Sequence, residues 1–543
     1  MTSEPGHNAA SPPAIVGRPL GCLGEVFRSG TVTESLGFYL PAAVLYRALG
    51  LIRGVLLAWL ISKREFGIFQ IILLAINILV PLCAAGLNEA VARYAPQYET
   101  RHSLRAFLGR AIPFALLLGA ALSAIVFLLA APLSRLLFAT FGHGQPEAGL
   151  ADSRIPLVHL ATATTLVLIA YILILALVRG LRMFLAVSLM ELISNLLFTL
   201  LAVLTALAGQ ESAEAIMVCY AASYLVTLAV FGLPLWSLVR AMPDQGRPLD
   251  SEAGGSGSAA LLGRMLSYSL WSAMAAVAWQ LVQYYPMWFL QKVHGPEVVA
   301  VCGGIHLITQ AVLIAATSVV MVIQPTVTKT WEALGRDLAN RQLLLAHKVT
   351  LLATLFICAL LDLAAPWLVR LFPVGYAAGE GIIPLSLTFF MVAGQVVFLG
   401  VHFSLIERTR YQFVVWLVAV LSNAFFAARF IRPELLPDQA LSATVWSELL
   451  GITAALAVTL LILRMERQPF DRGLTLLILA GYGLILPALA LLAVILGVVL
   501  LAGVTNVVFD RREKVEARIH LAVIRAGILS RLGRLTSGPP SQE

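Results

Sequence analysis

Apolar runs close to 20 residues long recur from residue 35 to residue 509, each closed by a short polar or Gly/Pro-containing break. A helix needs roughly 20 such residues to cross a hydrocarbon core about 30 Å thick. The pattern predicts spans at 35–61, 67–86, 107–131, 157–178, 185–208 and 215–239. After a polar stretch it predicts further spans at 265–291, 298–324, 347–369, 381–405, 413–430 and 441–463. The last apolar block, 474–509, is 36 residues long, too long for one span, and Pro487 divides it into a hairpin of two short helices. The expected fold is all-α, a polytopic membrane protein of about 14 transmembrane helices.

Composition agrees with that class. Of 543 residues 59% are hydrophobic and 12% charged, about half the charge of an ordinary soluble domain. The formal net charge is +8, but the basic residues are scattered through short loops, not gathered into a nucleic-acid patch. Their distribution reports orientation instead. With the N-terminus inside, the inner segments hold 26 of the 37 basic residues and the outer loops 8, the bias expected of cytoplasmic loops. Seven basic residues, Arg511 to Arg534, follow the last block and belong inside, which requires an even number of spans.

Cys22, Cys83, Cys219, Cys302 and Cys358 show no paired spacing, so neither a disulfide framework nor a metal site is expected, and no cofactor is implied. The first 33 residues lack a basic region leading into a short apolar stretch and cleavage site, which predicts a disordered cytoplasmic tail at 1–34. Arg511, Arg518 and Arg525 recur at sevens beside Val515, Ile519, Ala522, Ala526 and Leu529. This spacing makes 510–543 an amphipathic basic tail suited to an anionic leaflet, with a solvated coil or a partner-binding helix as alternatives.

Two short words repeat at nearly one offset. LAAPLSRLLF at 129–138 returns as LAAPWLVRLF at 363–372, and SKREFG at 62–67 falls against GPEVVA at 295–300. Six spans separate the copies, so the halves are expected to be parallel repeats: an N-lobe at 35–239, a flexible linker at 240–264 containing GGSGS, and a C-lobe at 265–463. The hairpin and its approach occupy 464–509.

The segment 56–94, LLAWLISKREFGIFQIILLAINILVPLCAAGLNEAVARY, resembles the opening of the bacterial oligosaccharide flippase, or polysaccharide biosynthesis, family. The resemblance is carried by a charged first helix, the turn Glu65-Phe66-Gly67, and Gly86 to Ala90 followed by Arg93-Tyr94. Gly295-Pro296-Glu297, and Leu371-Phe372 with Tyr376, extend it into the second half. Membership implies a twelve-to-fourteen-helix exporter of the multidrug, oligosaccharidyl-lipid and polysaccharide superfamily. Such an exporter works by alternating access on a polyprenyl-diphosphate-linked sugar in the bacterial inner membrane, with polymerases or glycosyltransferases as the partners the resemblance implies.

The polar residues inside the spans are the candidates for that chemistry. Arg47 and Arg53 lie in the first span about 9 Å apart along the axis and about 120° apart around it. They can line a broad cavity together but not one narrow seam. Guanidinium suits a diphosphate because its planar donors bind two oxygens at once; a buried ion pair with Glu191, Asp362 or Glu448 is the structural alternative. Trp279, Gln280, Gln310 and Gln395 are further substrate-binding candidates, with interhelical hydrogen bonding the competing role. Tyr284, Tyr285 and Trp288 fall toward the outer end, where an aromatic belt is expected. Asp362, Glu448 and Glu191 are the candidate ion-coupling groups, because protonation can switch an intramembrane carboxylate. His159, His306 and His402 carry no ligand spacing and are expected to be packing residues.

Other functions fit less well. A membrane glycosyltransferase or polysaccharide polymerase needs a substantial outer loop, whereas 132–156 offers Glu147 and Asp152 as its only carboxylates. No Walker motif occurs, and the chain is not expected to be an enzyme. A multidrug exporter is expected to place an acid, not arginines, in the first helix. A lipid II flippase shares the polyprenyl diphosphate and remains the nearest alternative.

Overall fold

A computed structural model describes residues 26–27, 32–100, 103–138, 152–241, 257–406, 408–468, 470–486 and 488–515. Among them there is no strand, and the chain is a succession of helices. Ten are long and apolar enough to cross a membrane, or eleven when one bent pair is taken as a span. The expected count of fourteen is not reached by that measure. The terminal block contributes two shorter apolar helices, and the break between them spans Pro487, which lies outside the described residues. The N-terminal tail, most of the linker and the basic tail beyond Val515 also lie outside them.

The described chain forms two compact units, Met1–Gly303 and Gly304–Glu543. In the first, the helices are α1 Val32–Leu60, α2 Lys63–Cys83, α3 Leu87–Thr100, α4 Leu104–Leu128, α5 Ala130–Phe138, α6 Ile155–Gly180, α7 Phe184–Leu207, α8 Ala213–Ala241 and α9 Gly257–His294. The division falls 39 residues beyond the linker end expected at 264, because α9 packs on α2 and α3. α6 is the central helix, packed against α2, α3, α4 and α8. Its Thr162, Thr164 and Thr165 hydroxyls return hydrogen bonds to carbonyls one turn back, which lets polar side chains sit in an apolar interior with their bonding satisfied.

The family-like motif at 62–94 marks close backbone approaches. Ser62 caps α2 by accepting from the Glu65 amide at 3.2 Å, a standard N-terminal arrangement. A Cβ on Gly67 would stand 2.1 Å from the Pro296 carbonyl oxygen. At the far end Ala85 and Gly86 take left-handed φ values of 48° and 67°, and a Cβ on Gly86 would lie 2.4 Å from the Ser269 carbonyl oxygen. The expected span 67–86 therefore ends in a sharp turn, and Asn88, Glu89, Arg93 and Tyr94 belong to a separate helix, α3, rather than to a loop.

A half-buried knot fastens the opposite end. Arg154, just before α6, pairs with Glu65 on α2 and with Glu214 on α8 at 2.6 Å, while Glu65 Oε2 accepts from the Ala213 amide at 2.9 Å. Burial works to lower the affinity of Arg154 for its proton, but hydrogen bonds and charge from Glu214 and Glu65 outweigh it and hold the guanidinium above its ordinary value.

The helix α10, Pro296–Thr309, contains the boundary between the units. The second unit continues with α11 Ala311–Ala333, α12 Arg336–Leu363, α13 Ala365–Val369, a 3-10 segment Val374–Ile382, α14 Ile383–Leu405, α15 Arg410–Phe430, α16 Pro437–Met465, α17 Arg472–Gly481, a 3-10 turn Tyr482–Ile485 and α18 Ala488–Val504. The expected single span 298–324 is bent by 44° between α10 and α11. Thr309 Oγ1 bonds back to the Ile305 carbonyl and to Ser386 Oγ at 2.7 Å, the kind of side-chain insertion that bends a helix without proline. α14 is buried along nearly its whole length, as an all-round apolar helix should be. Lys348, 1% exposed, is satisfied by Asp471 and by Glu513 at 2.9 Å.

The repeated words mark the same local event in each unit. α4 ends at Leu128 and the chain resumes as the short α5 after one residue; α12 ends at Leu363 and resumes as α13 after one residue. The other pair also corresponds, since α2 begins at Lys63 and α10 at Pro296.

Candidate substrate-binding site

The two arginines of α1 have different surroundings. Arg47 is exposed, its guanidinium 4.9 Å from the ring centre of Tyr46. Arg53 is half-buried. Its Nη1 donates to Asn195 Oδ1 at 3.4 Å, and its Cζ stands 4.1 Å over the Phe198 ring, both groups on α7. Tyr220 and Tyr224 of α8 are its electrostatic neighbours. Among the described residues of the first unit no carboxylate, Glu191 included, lies within ion-pair distance of Arg53. A cation over a desolvated ring is worth about 2 kcal/mol, of the same order as the 2.5 to 3.5 kcal/mol that arginine costs at bilayer depth.

Phe198 begins an aromatic ladder. Its ring centre is 4.9 Å from Tyr220, Tyr220 is 5.0 Å from Tyr224, and Tyr224 is 4.8 Å from Tyr171, all edge to face. Tyr171, Tyr220 and Tyr224 then form one wall of a cavity of about 350 Å³ within the first unit, whose other walls include Asn77, Pro81, Gly86 and Gln280. The volume lies at the low end of the roughly 300–1,000 Å³ typical of ligand sites. It suits a headgroup rather than a whole oligosaccharide.

Of the sequence candidates, Gln280 lines this cavity and Trp279, the next residue on α9, is not among its walls. Tyr284 is hydrogen-bonded to Asn77 at 2.9 Å, so it serves the interior of the unit and not only a belt. Trp288 donates its indole N–H to the Leu136 carbonyl at 2.9 Å. Glu191 on α7 accepts from the Tyr46 hydroxyl and feels Arg179 and Arg47, yet its Oε2 is buried without a hydrogen bond. Asn77, Asn195, Tyr171, Tyr220 and Tyr224 were not singled out in the sequence. Their signal was the occurrence of amides and phenols inside otherwise apolar runs.

The remaining candidates belong to the second unit. Gln310 occupies the bend between α10 and α11. Gln395 is 2% exposed with neither amide atom hydrogen-bonded. Asp362 is half-buried in the last turn of α12, next to its terminal residue, not at mid-helix. Glu448 is wholly buried in the middle of α16, with Oε2 3.3 Å from His306 Nε2.

The profile described as polysaccharide biosynthesis protein matches residues 32–331, more than half of the chain and all of the elements that build the arginine site. The chain belongs to the polysaccharide biosynthesis protein family. Solved structures similar to this family member include the lipid II flippase MurJ in an inward closed conformation, 14% identical with a TM-score of 0.60, covering 86% of this chain and 98% of that one. A MOP superfamily transporter from Pyrococcus furiosus, described as having a binding pocket of reverse polarity, is 14% identical with a TM-score of 0.59 over 83% and 98% of the two chains. A multidrug resistance MATE transporter in an outward-facing conformation gives 14% and 0.58 over 81% and 97%. No curated protein sequence matches. This family member shares its fold with those structures, and its long apolar helices mark it as a multi-pass membrane protein.

Proposed function

We propose that this transporter flips a polyprenyl-diphosphate-linked oligosaccharide from the cytoplasmic to the outer leaflet of the bacterial inner membrane, by alternating access, for cell-surface polysaccharide biosynthesis. It is a carrier and not an enzyme on this reading. The observation that supports it is Arg53: a guanidinium on the apolar helix α1, positioned by an amide and an aromatic face, with no carboxylate in ion-pair reach among the described residues of its unit. A permanent cation so placed attracts an anionic cargo and repels the cationic drugs that a multidrug exporter carries. Its planar donors match the paired oxygens of a diphosphate. The phenols and amides of the adjoining cavity supply donors and flat faces for the first sugar.

Reconstituted flipping, normalised to folded protein, tests this. Arg53→Lys keeps the charge but not the two-oxygen fork, and is expected to slow flipping; Arg53→Ala is expected to slow it further. Full activity in a well-folded Arg53→Ala variant removes the diphosphate reading. Comparing an undecaprenyl-diphosphate oligosaccharide with lipid II in the same vesicles decides between the proposed cargo and the lipid II alternative.

A further inference from the structure

The arginine site leaves a second buried group unexplained. Glu448 is 0% exposed in the middle of α16, and neither carboxylate oxygen has a hydrogen bond. Among the described residues its one ion-pair partner is His306, whose Nε2 stands 3.3 Å from Oε2. Both belong to the second unit. His306 is 8% exposed and is walled by Phe389 and Phe390 of α14, with ring centres 6.4 and 5.3 Å away. An ionised carboxylate so enclosed is costly unless it is paired or protonated. An imidazole facing it directly, with aromatic walls around it, is the group best able to exchange that proton.

We propose that His306 and Glu448 form a proton-binding site of the second unit, loaded and unloaded as the transporter changes state. A hard metal cation is a poorer fit, because it takes about six oxygen ligands, and here one carboxylate faces a ring nitrogen. The hydroxyls of Thr309 on α10 and Ser386 on α14 are already bonded to each other. From the 3-10 segment Val374–Ile382 the buried phenol of Tyr376 packs at Gly304, half a turn from His306, while Glu380 is exposed. From α15 the side chain facing this stretch of α16 is the neutral Asn423, against Gly451; Arg410, Tyr411 and Arg429 lie at the two ends of that helix. On α14, His402 lies twelve residues beyond Phe390, about 18 Å along the axis. Cys302 precedes His306 by one turn of α10.

This inference rests on the transporter reading for its role in coupling, but proton binding itself can be measured without cargo. Infrared difference spectra of the purified full-length protein, taken along an acid-to-alkaline titration, should show one buried protonated carboxyl signal that disappears in Glu448→Gln and titrates at a different pH in His306→Gln. In proteoliposomes an imposed proton gradient should accelerate flipping by wild type, and Glu448→Gln should lose that acceleration. If Glu448→Gln does not fold, the wild-type and His306→Gln titrations still decide. A wild-type protein with no titrating buried carboxyl, a signal that survives in Glu448→Gln, or an undiminished gradient response in that variant overturns the proposal. A titrating Glu448 in a protein that flips no polyprenyl-linked sugar keeps the proton site and rejects the cargo instead.

Discussion

Arg47 and Arg53 lie in one apolar run of the first helix, yet they have unequal neighbours. The helical angle of about 120° between them already implied that they could not share one seam; which of them would turn inward depended on α7. There, Asn195 and Phe198 are three residues apart and so lie on one face, offering an acceptor and a ring to the same guanidinium. The effects of substitution should therefore separate. Charge-assisted hydrogen bonds are worth about 1.5 to 3 kcal/mol, so Arg53→Ala is expected to lower flipping roughly 10- to 150-fold, whereas exposed Arg47→Ala should change it by less. Phe198→Leu should fall between, since it removes the ring but keeps the volume. Equal losses in Arg47→Ala and Arg53→Ala, measured on folded protein in vesicles, would reject this ordering. The choice between the two arginines was not legible in the chain, because it rests on partners more than 140 residues away.

At the scale of elements, the existence of most helices was legible and their limits were not. Hydropathy measures the length in contact with lipid, whereas backbone hydrogen bonding continues a helix into polar sequence, so α12 begins at Arg336 and not near 347, and α9 at Gly257 and not near 265. The bend at Gln310 was hidden for a related reason: its cause is a threonine contact with Ser386, 77 positions away. The 62–94 motif was recognisable as words, and the structure supplies its reasons. Gly67 and Gly86 leave room for a neighbouring backbone carbonyl, and Glu65 ties three helices through Arg154 and the Ala213 amide. Gly67→Ala should fold poorly, because the backbone it meets cannot give way as a side chain could. Arg154→Met leaves Glu65 and Glu214 facing each other without a cation. Removing one partner of a buried pair costs about 3 to 5 kcal/mol; with these side chains 15–34% exposed, a loss nearer 1 to 3 kcal/mol is expected. Thermal unfolding in detergent should show a clear drop in midpoint for Arg154→Met and a smaller one for Glu65→Gln, which keeps hydrogen-bonding capacity. An unchanged midpoint for Arg154→Met would mean that the knot contributes nothing to stability.

At the scale of the whole chain, orientation follows from charge while architecture follows from hydropathy, and the two can be tested separately. The basic residues divide 26 to 8 between the segments assigned inside and those assigned outside, which by the positive-inside bias places the 242–256 segment in the cytoplasm and the 139–151 segment outside. The native cysteines make this measurable. Cys83, Cys219, Cys302 and Cys358 are all buried, so after Cys22 is replaced a membrane-impermeant maleimide has little native thiol to react with. A single cysteine introduced as Gln145→Cys should be labelled on intact cells or spheroplasts. One introduced as Ser251→Cys should be labelled only after the membrane is opened. Between the two positions the chain runs through α6, α7 and α8, an odd number of crossings, so opposite sidedness also checks the span count of that stretch independently of the termini. Labelling of both from the same side would break that count; labelling in the reverse order would keep the count and overturn the orientation, and with it the direction of transport inferred for the cargo.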